Sequence, residues 1–174
     1  TGRYVGSHGT TWNHVPFAVG EQTLGDHLAR AGRRAALAGK THVVPDREGL
    51  RRLGIAPESP EGRLRLDGGF VEIDRYDGHA PPGTESGYAD YLRTHGYGGP
   101  DPWTDYVVTA TDEHGGRASG WLLRNAHLPA IVSEEHSETA YMTDRAIEFI
   151  ETQGDEPWVL HLSYIKPHWP LMAP

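Results

Sequence analysis

Lys40, His42 and His168 are the residues of this chain whose types and settings best suit work on an anionic, oxygen-rich group. The first two lie in Gly39-Lys40-Thr41-His42, directly after the apolar run Ala35 to Ala38. His168 lies in Pro167-His168-Trp169-Pro170, after the mostly apolar run Trp158 to Tyr164. Short apolar runs read as buried strands, and the ends of buried strands are where α/β proteins place their ligand chemistry. Lysine brings a fixed positive charge, and histidine can donate a hydrogen bond or a proton near neutral pH. Alternate residues of an extended strand point to the same side, so a strand continuing past Gly39 would put Lys40 beside His42. Such a pair would hold a tetrahedral anion, a sulfate or a phosphate, or stabilise its leaving oxygen. The prolines around His168 fix its backbone, which favours a preorganised contact. Lys166 and, in the first loop, Asn13 beside Trp12 and His14 are further candidate donors to an anion. The bland counterpart stays open: solvated lysines, loop histidines, and an asparagine that merely forms a turn.

Other chemistries find no foothold. The 11 His include no HExxH and no close His-x-His pair, so they do not announce a metal site. Glu134, Glu135, His136 and Glu138 read as the polar first turns of a helix, where acids suit the helix dipole. Walker A, GxGxxG and GxSxG patterns are absent. With no Cys, disulfides, zinc-thiolate sites and a cysteine nucleophile are excluded within these residues. A formal net charge of -8 argues against non-specific nucleic-acid binding and against an anionic membrane surface. No apolar run approaches the roughly 18 residues of a membrane span.

The elements that must position these residues are legible in two places. Thr23 and Asp26 have capping-box spacing, and Leu24, Leu28 and Ala31 follow on one helical face until Gly32 stops the helix. A turn and the strand Ala35 to Ala38 come next. Ser133 to Gln153 reads as the clearest helix, with Ala140, Thr143, Ile147 and Ile150 on a stripe, Ala146 and Phe149 beside it, and Gly154 and Pro157 ending it. The strand Trp158 to Tyr164 follows. Two helix–strand units predict an α/β fold with a mainly parallel sheet flanked by helices. Thr1 to Pro16 reads as an irregular loop. Between Val43 and Val132 only a short strand at Phe70 to Ile73 and a helix near Tyr88 to His95 stand out, with loop punctuation at Pro81-Pro82-Gly83 and Gly98-Gly99-Pro100. That long stretch predicts a loop-rich insertion, a lid or a substrate wall. The 22 Gly, 13 Pro and 37% hydrophobic content suit long polar loops or part of a larger core. The start at Thr1 and the stop at Pro174, just after the second motif, suggest the middle of a larger protein.

Taken together, three segments resemble the sulfatase family of the alkaline-phosphatase-like superfamily, which includes arylsulfatases, phosphonate monoester hydrolases and choline sulfatases. Thr1-Gly2-Arg3-Tyr4 with Ser7-His8-Gly9 is similar to the TGRY…HG segment of sulfatases. Leu28 to His42 looks like the family's L…AGY…GKxH element, and Pro157 to Pro174 resembles its PFFL…PHxP strand and loop. The subgroup that looks nearest is the phosphonate monoester hydrolases and phosphodiesterases. That subgroup often has Tyr and Thr where this chain has Lys40 and His42, whereas the Gly-Lys-Thr-His form is similar to choline sulfatases. Sulfate and phosphate or phosphonate esters therefore both stay open.

The resemblance implies that Lys40 and His42 contact the nucleophile and the sulfuryl or phosphoryl oxygens, and that His168 contacts the transferring group or leaving oxygen. By a looser match Asn13 binds substrate. It also implies a Cys or Ser nucleophile in a C/S-x-P-S-R motif upstream of Thr1, the Cys matured to formylglycine. A divalent metal ion (Ca, Mg, Mn or Zn) would be held by ligands outside these residues. The expected whole is one incomplete sulfatase-type catalytic domain over 1–174, with 43–132 as its insertion or substrate wall. The expected partner is a small anionic ester, with an oligomer possible. A phosphoryl-group transferase of the same fold, a catalytically dead anion-binding module, and a plain α/β domain with surface histidines are the alternatives.

Overall fold

Ala35 to Ala38 are almost wholly shielded from solvent, because the strand that carries them is the middle one of three. A central parallel strand is covered on both faces, which is why it reads as an unbroken apolar run rather than an alternating one. The computed structural model describes residues 1–78 and 86–174. The loop signal at Pro81-Pro82-Gly83 lies outside the described residues.

In chain order the elements are α1 (Val5–His8), α2 (Leu24–Arg30), β1 (Arg34–Gly39), α3 (Arg47–Arg52), α4 (Pro60–Leu66), β2 (Val71–Arg75) and α5 (Gly87–Thr94). A π-helical turn at Trp103–Val107 precedes β3 (Thr109–Thr111) and β4 (Arg117–Ser119). Two 3-10 turns, Leu123–Asn125 and Glu134–His136, lead to α6 (Glu138–Thr152) and β5 (Trp158–Ser163). The main sheet is parallel with order β2-β1-β5, flanked by helices, and β3 and β4 form a separate antiparallel pair. Arg34 N–H donates to Pro157 O over 3.3 Å at one end of the β1–β5 pairing, and Lys40 N–H donates to Ser163 O over 3.2 Å at the other.

By their contacts the residues divide into two compact units. The first comprises Thr1–Leu37, Thr41–Ile73 and Ile150–His161. In it α2 is started by the Thr23–Asp26 capping box, as the spacing predicted. Its buried residue is Gly25 rather than Leu24, which is exposed. A Cβ on Gly25 would meet Gly68 O at 2.4 Å, so the turn after α4 packs directly on the α2 backbone. Asp46 caps α3 by accepting from Gly49 N–H at 2.8 Å, and it also accepts from Val19 N–H at 3.1 Å. Those two backbone bonds, Val19's first, hold its carboxyl below the usual range.

The second unit comprises Ala38–Lys40, Asp74–Phe149 and Leu162–Pro174. Its core is aromatic. Tyr88 lies 5.0 Å from Tyr76 and 5.1 Å from Tyr141, ring centre to ring centre, and Leu92, Val108, Val132, Met142 and Met172 are buried. Tyr141 O–H donates to Asp74 Oδ2, whose pKa is nonetheless raised because burial outweighs that bond.

The first loop, the start of the long helix and its buried face differ from expectation. The stretch Thr1 to Pro16 contains the short helix α1. The long helix begins at Glu138, since Glu134–His136 is a separate 3-10 turn. Its buried face carries Glu138, Tyr141, Met142, Ala146 and Phe149, while Ile147 and Ile150 are exposed. The segment 43–132 holds α3, α4, β2, α5, β3 and β4, with β2 an edge of the main sheet.

Candidate active site at the strand ends

β1 stops at Gly39, and it must. Gly39 has φ 93°, a left-handed conformation that glycine adopts without a Cβ penalty. Its carbonyl accepts from Tyr76 N–H at 3.3 Å, and a Cβ there would lie 2.0 Å from Ser163 O. The chain therefore leaves the sheet at Gly39, and the strand does not continue to His42 as the alternation argument expected. Lys40 is half-buried at this exit, and its ammonium has no hydrogen-bond or ion-pair partner among the described residues.

Ser163, the acceptor of the Lys40 N–H, is the last residue of β5. The loop that follows carries Lys166 and His168, so the ends of β1 and β5 bring Lys40 and this loop to the same edge of the sheet. His168 is exposed, and its N–H donates to Ile165 O at 2.8 Å, closing a turn on the buried Ile165. Both Pro167 and Pro170 follow cis peptide bonds. His168 Nδ1 lies 2.7 Å from Trp169 O. A carbonyl can only accept, so Nδ1 carries the proton, and in the neutral ring Nε2 is the acceptor.

Lys166 is bound inward. Its Nζ donates to Pro170 O at 2.6 Å and lies 3.5 Å from Glu138 Oε2. Glu138 is only 4% exposed. Its Oε1 accepts from Tyr76 O–H at 2.6 Å and from Trp103 Nε1–H at 3.0 Å, while Oε2 accepts no hydrogen bond. Burial, and next the Glu138 charge, push the Tyr76 hydroxyl well above the usual phenol range, so it serves as a neutral donor. A cavity of about 190 Å³ lies against Glu138 and Lys166, walled by Val107, Val132 and Met172 among others. The sequence places Glu138 in the polar first turns of a helix. Its spacing from Met142 and Phe149 places it on their face of α6, and that was the signal that it is buried.

Asn13 and His42 belong to the first unit, and both are exposed. Asn13 sits inside the turn that Val15 N–H closes on Trp12 O at 3.0 Å. Trp12 and His14 meet edge to face, 4.6 Å apart.

The fold has counterparts among known proteins. No family model matches the chain. Over 180 residues it is 26% identical to the multifunctional alkaline phosphatase superfamily protein PehA of Trinickia caryophylli, across 99% of this chain. This chain is a homologue of alkaline phosphatase superfamily proteins. Two solved structures share the fold over the whole chain. The phosphonate monoester hydrolase SpPMH from Silicibacter pomeroyi has a TM-score of 0.72 at 24% identity, and the phosphonate monoester hydrolase of Agrobacterium radiobacter has 0.67 at 23%. The chain spans 31% of the length of each of these three superfamily proteins.

Superfamily enzymes generally use divalent metals. Among the described residues no group of three or more His, Asp or Glu is arranged to hold a metal ion. The described residues do not by themselves make up a metal centre. Among them, too, no helix is long and apolar enough to cross a membrane.

Proposed function

We propose that this chain forms part of a hydrolase of phosphate or phosphonate esters. The carrying observation is the pairing of β1 and β5, whose ends deliver Lys40 and the His168 loop to one edge of the sheet. Two cationic or proton-bearing groups at the carboxyl ends of parallel strands suit an anionic ester. Phosphonate monoester hydrolases with this fold, and the homology to PehA, favour phosphorus over sulfur as the central atom.

In this reading Lys40 offsets the charge of the ester oxygens. His168, protonated at Nδ1, uses Nε2 as acceptor, or as donor once the ring is cationic, toward the transferring group or leaving oxygen. The nucleophile attacks in line and is supplied from outside these residues. Its identity as Ser or as a formylglycine made from Cys belongs to the same proposal.

The test is steady-state hydrolysis, by the intact protein of which this chain forms part, of three aryl esters, a phosphonate monoester, a phosphate diester and a sulfate, for wild type, Lys40→Ala and His168→Ala. Preference for the phosphorus esters, lost in both variants, supports the reading. Preference for the sulfate transfers the site to sulfate esters. Variants as active as wild type return Lys40 and His168 to ordinary loop residues.

A further inference from the structure

A carboxylate as buried as Glu138 is costly, and apolar residues of similar volume commonly serve stability as well or better. Two of its contacts, from Tyr76 and Trp103, fall on one oxygen and are neutral donors. Among the described residues the other oxygen accepts no hydrogen bond and meets the Lys166 ammonium at 3.5 Å. Lys166 in turn donates to the carbonyl of Pro170, at the far side of His168. The turn that presents His168 is thus held at three points. Its N–H is tied to Ile165 O, its far end is tied to Lys166 Nζ, and Lys166 is anchored to the interior by Glu138.

We propose that Glu138 is a positioning residue. Through Lys166 it fixes the 165–170 loop and so sets where the His168 ring stands. This rests on the reading of His168 as a group that meets the ester. Lys166 is then an internal strut rather than a substrate ligand, because its charge is spent on Glu138 and Pro170.

Glu138→Gln separates this role from simple core packing. The Gln carbonyl can still accept from Tyr76 and Trp103, but its NH2 then turns a donor toward the Lys166 ammonium, which has only donors. The anchor is lost while the volume and the other bonds are kept. Misplacing a reacting group by about 1 Å can cost up to about 100-fold in rate. For Glu138→Gln we therefore expect kcat to fall at least about tenfold with KM little changed, and the ring nitrogen shifts of His168, read by 15N NMR, to move. Lys166→Met should reproduce both effects, and Lys166→Arg should restore most of the rate.

Unchanged His168 shifts and unchanged kcat in Glu138→Gln and Lys166→Met would overturn the proposal. So would a rise in KM alone in Lys166→Met with Glu138→Gln silent, which would make Lys166 a substrate ligand. Should Glu138→Gln fail to fold, Lys166→Met, at a part-exposed position, decides by the same readouts. Should the intact protein of which this chain forms part hydrolyse none of the esters, the functional reading fails by itself, and the His168 shifts still decide whether Glu138 positions the loop.

Discussion

The backbone of Gly39 runs so close to Ser163 that a Cβ on Gly39 would sit 2.0 Å from the Ser163 carbonyl oxygen. No side chain fits there, and φ at Gly39 is positive as well. The point where the two candidate loops leave the sheet is therefore defined by backbone against backbone.

Gly39→Ala should lower stability by more than the roughly 1 kcal/mol typical of a Gly-to-Ala change at a positive φ, because the carbonyl it strikes cannot swing away without breaking the Lys40 N–H bond. Urea denaturation of wild type and variant checks this. A stability equal to wild type would show that the two strand ends are not in this register.

Tyr76→Phe should cost about 1–3 kcal/mol, the range for losing a hydrogen bond to a buried charged group. Among the described residues Glu138 would keep the Trp103 donor alone on Oε1. Thermal unfolding measures it. A loss below about 0.5 kcal/mol, the range of ordinary surface substitutions, would mean that Glu138 is solvated in the protein.

Asp46→Ala should cost about 0.5–2 kcal/mol, as expected for a lost helix N-cap. The pH dependence has a defined sign. Asp46 has a folded-state pKa below its unfolded value, so its contribution is present above the unfolded value and is lost as pH falls through the lowered one. The gap between wild type and variant should therefore narrow only at acid pH, below the usual carboxylate range. Denaturation midpoints followed from neutral to acid pH provide the check, and a gap independent of pH would remove the charge from the explanation.

Asp74 behaves oppositely. Its folded pKa is raised, by burial first, so the folded state holds the proton more tightly than the unfolded chain. Stability from this group is greatest below the unfolded pKa and is lost as pH rises through the raised folded pKa. Asp74→Asn keeps an acceptor for Tyr141 O–H and should flatten that decline, leaving stability at neutral pH equal to or above wild type. Denaturant midpoints across the carboxylate titration range would show it, and a variant with an unaltered pH slope would argue against the assignment.

On α6, Met142→Ala should cost about 2–5 kcal/mol as a large-to-small core change. Ile150→Ala, at an exposed position, should stay within about 0.5 kcal/mol. Thermal melts of the two variants distinguish the buried face from the stripe that the sequence alone suggested. Equal losses would put both faces in contact with a core.

Local signals were enough for several elements. The Thr23–Asp26 spacing specified a capping box because both partners lie within one turn. The run Ala35 to Ala38 specified a buried strand because a central parallel strand has no polar face to show. The helix near Tyr88 and the strand at Trp158 were legible for similar local reasons. The buried face of α6 was misread because Ile147 and Ile150 are as apolar as Met142 and Phe149, and hydrophobicity does not say which of two apolar stripes meets the core. The segment after Val43 was hard to read because its elements are short and owe their order to distant partners, as β2 does to β1.

The sequence by itself determined an α/β chain with two helix–strand units and with Lys40 and His168 just past two strands, because chain connectivity and residue type decide those things. Which strand ends lie together, and that Lys166 meets a buried Glu138, was decided only by the tertiary structure. Those contacts join residues far apart in the chain: Gly39 to Ser163, and Glu138 to Tyr76, Trp103 and Lys166. The desolvation that makes Glu138 matter exists only once the elements around it have closed.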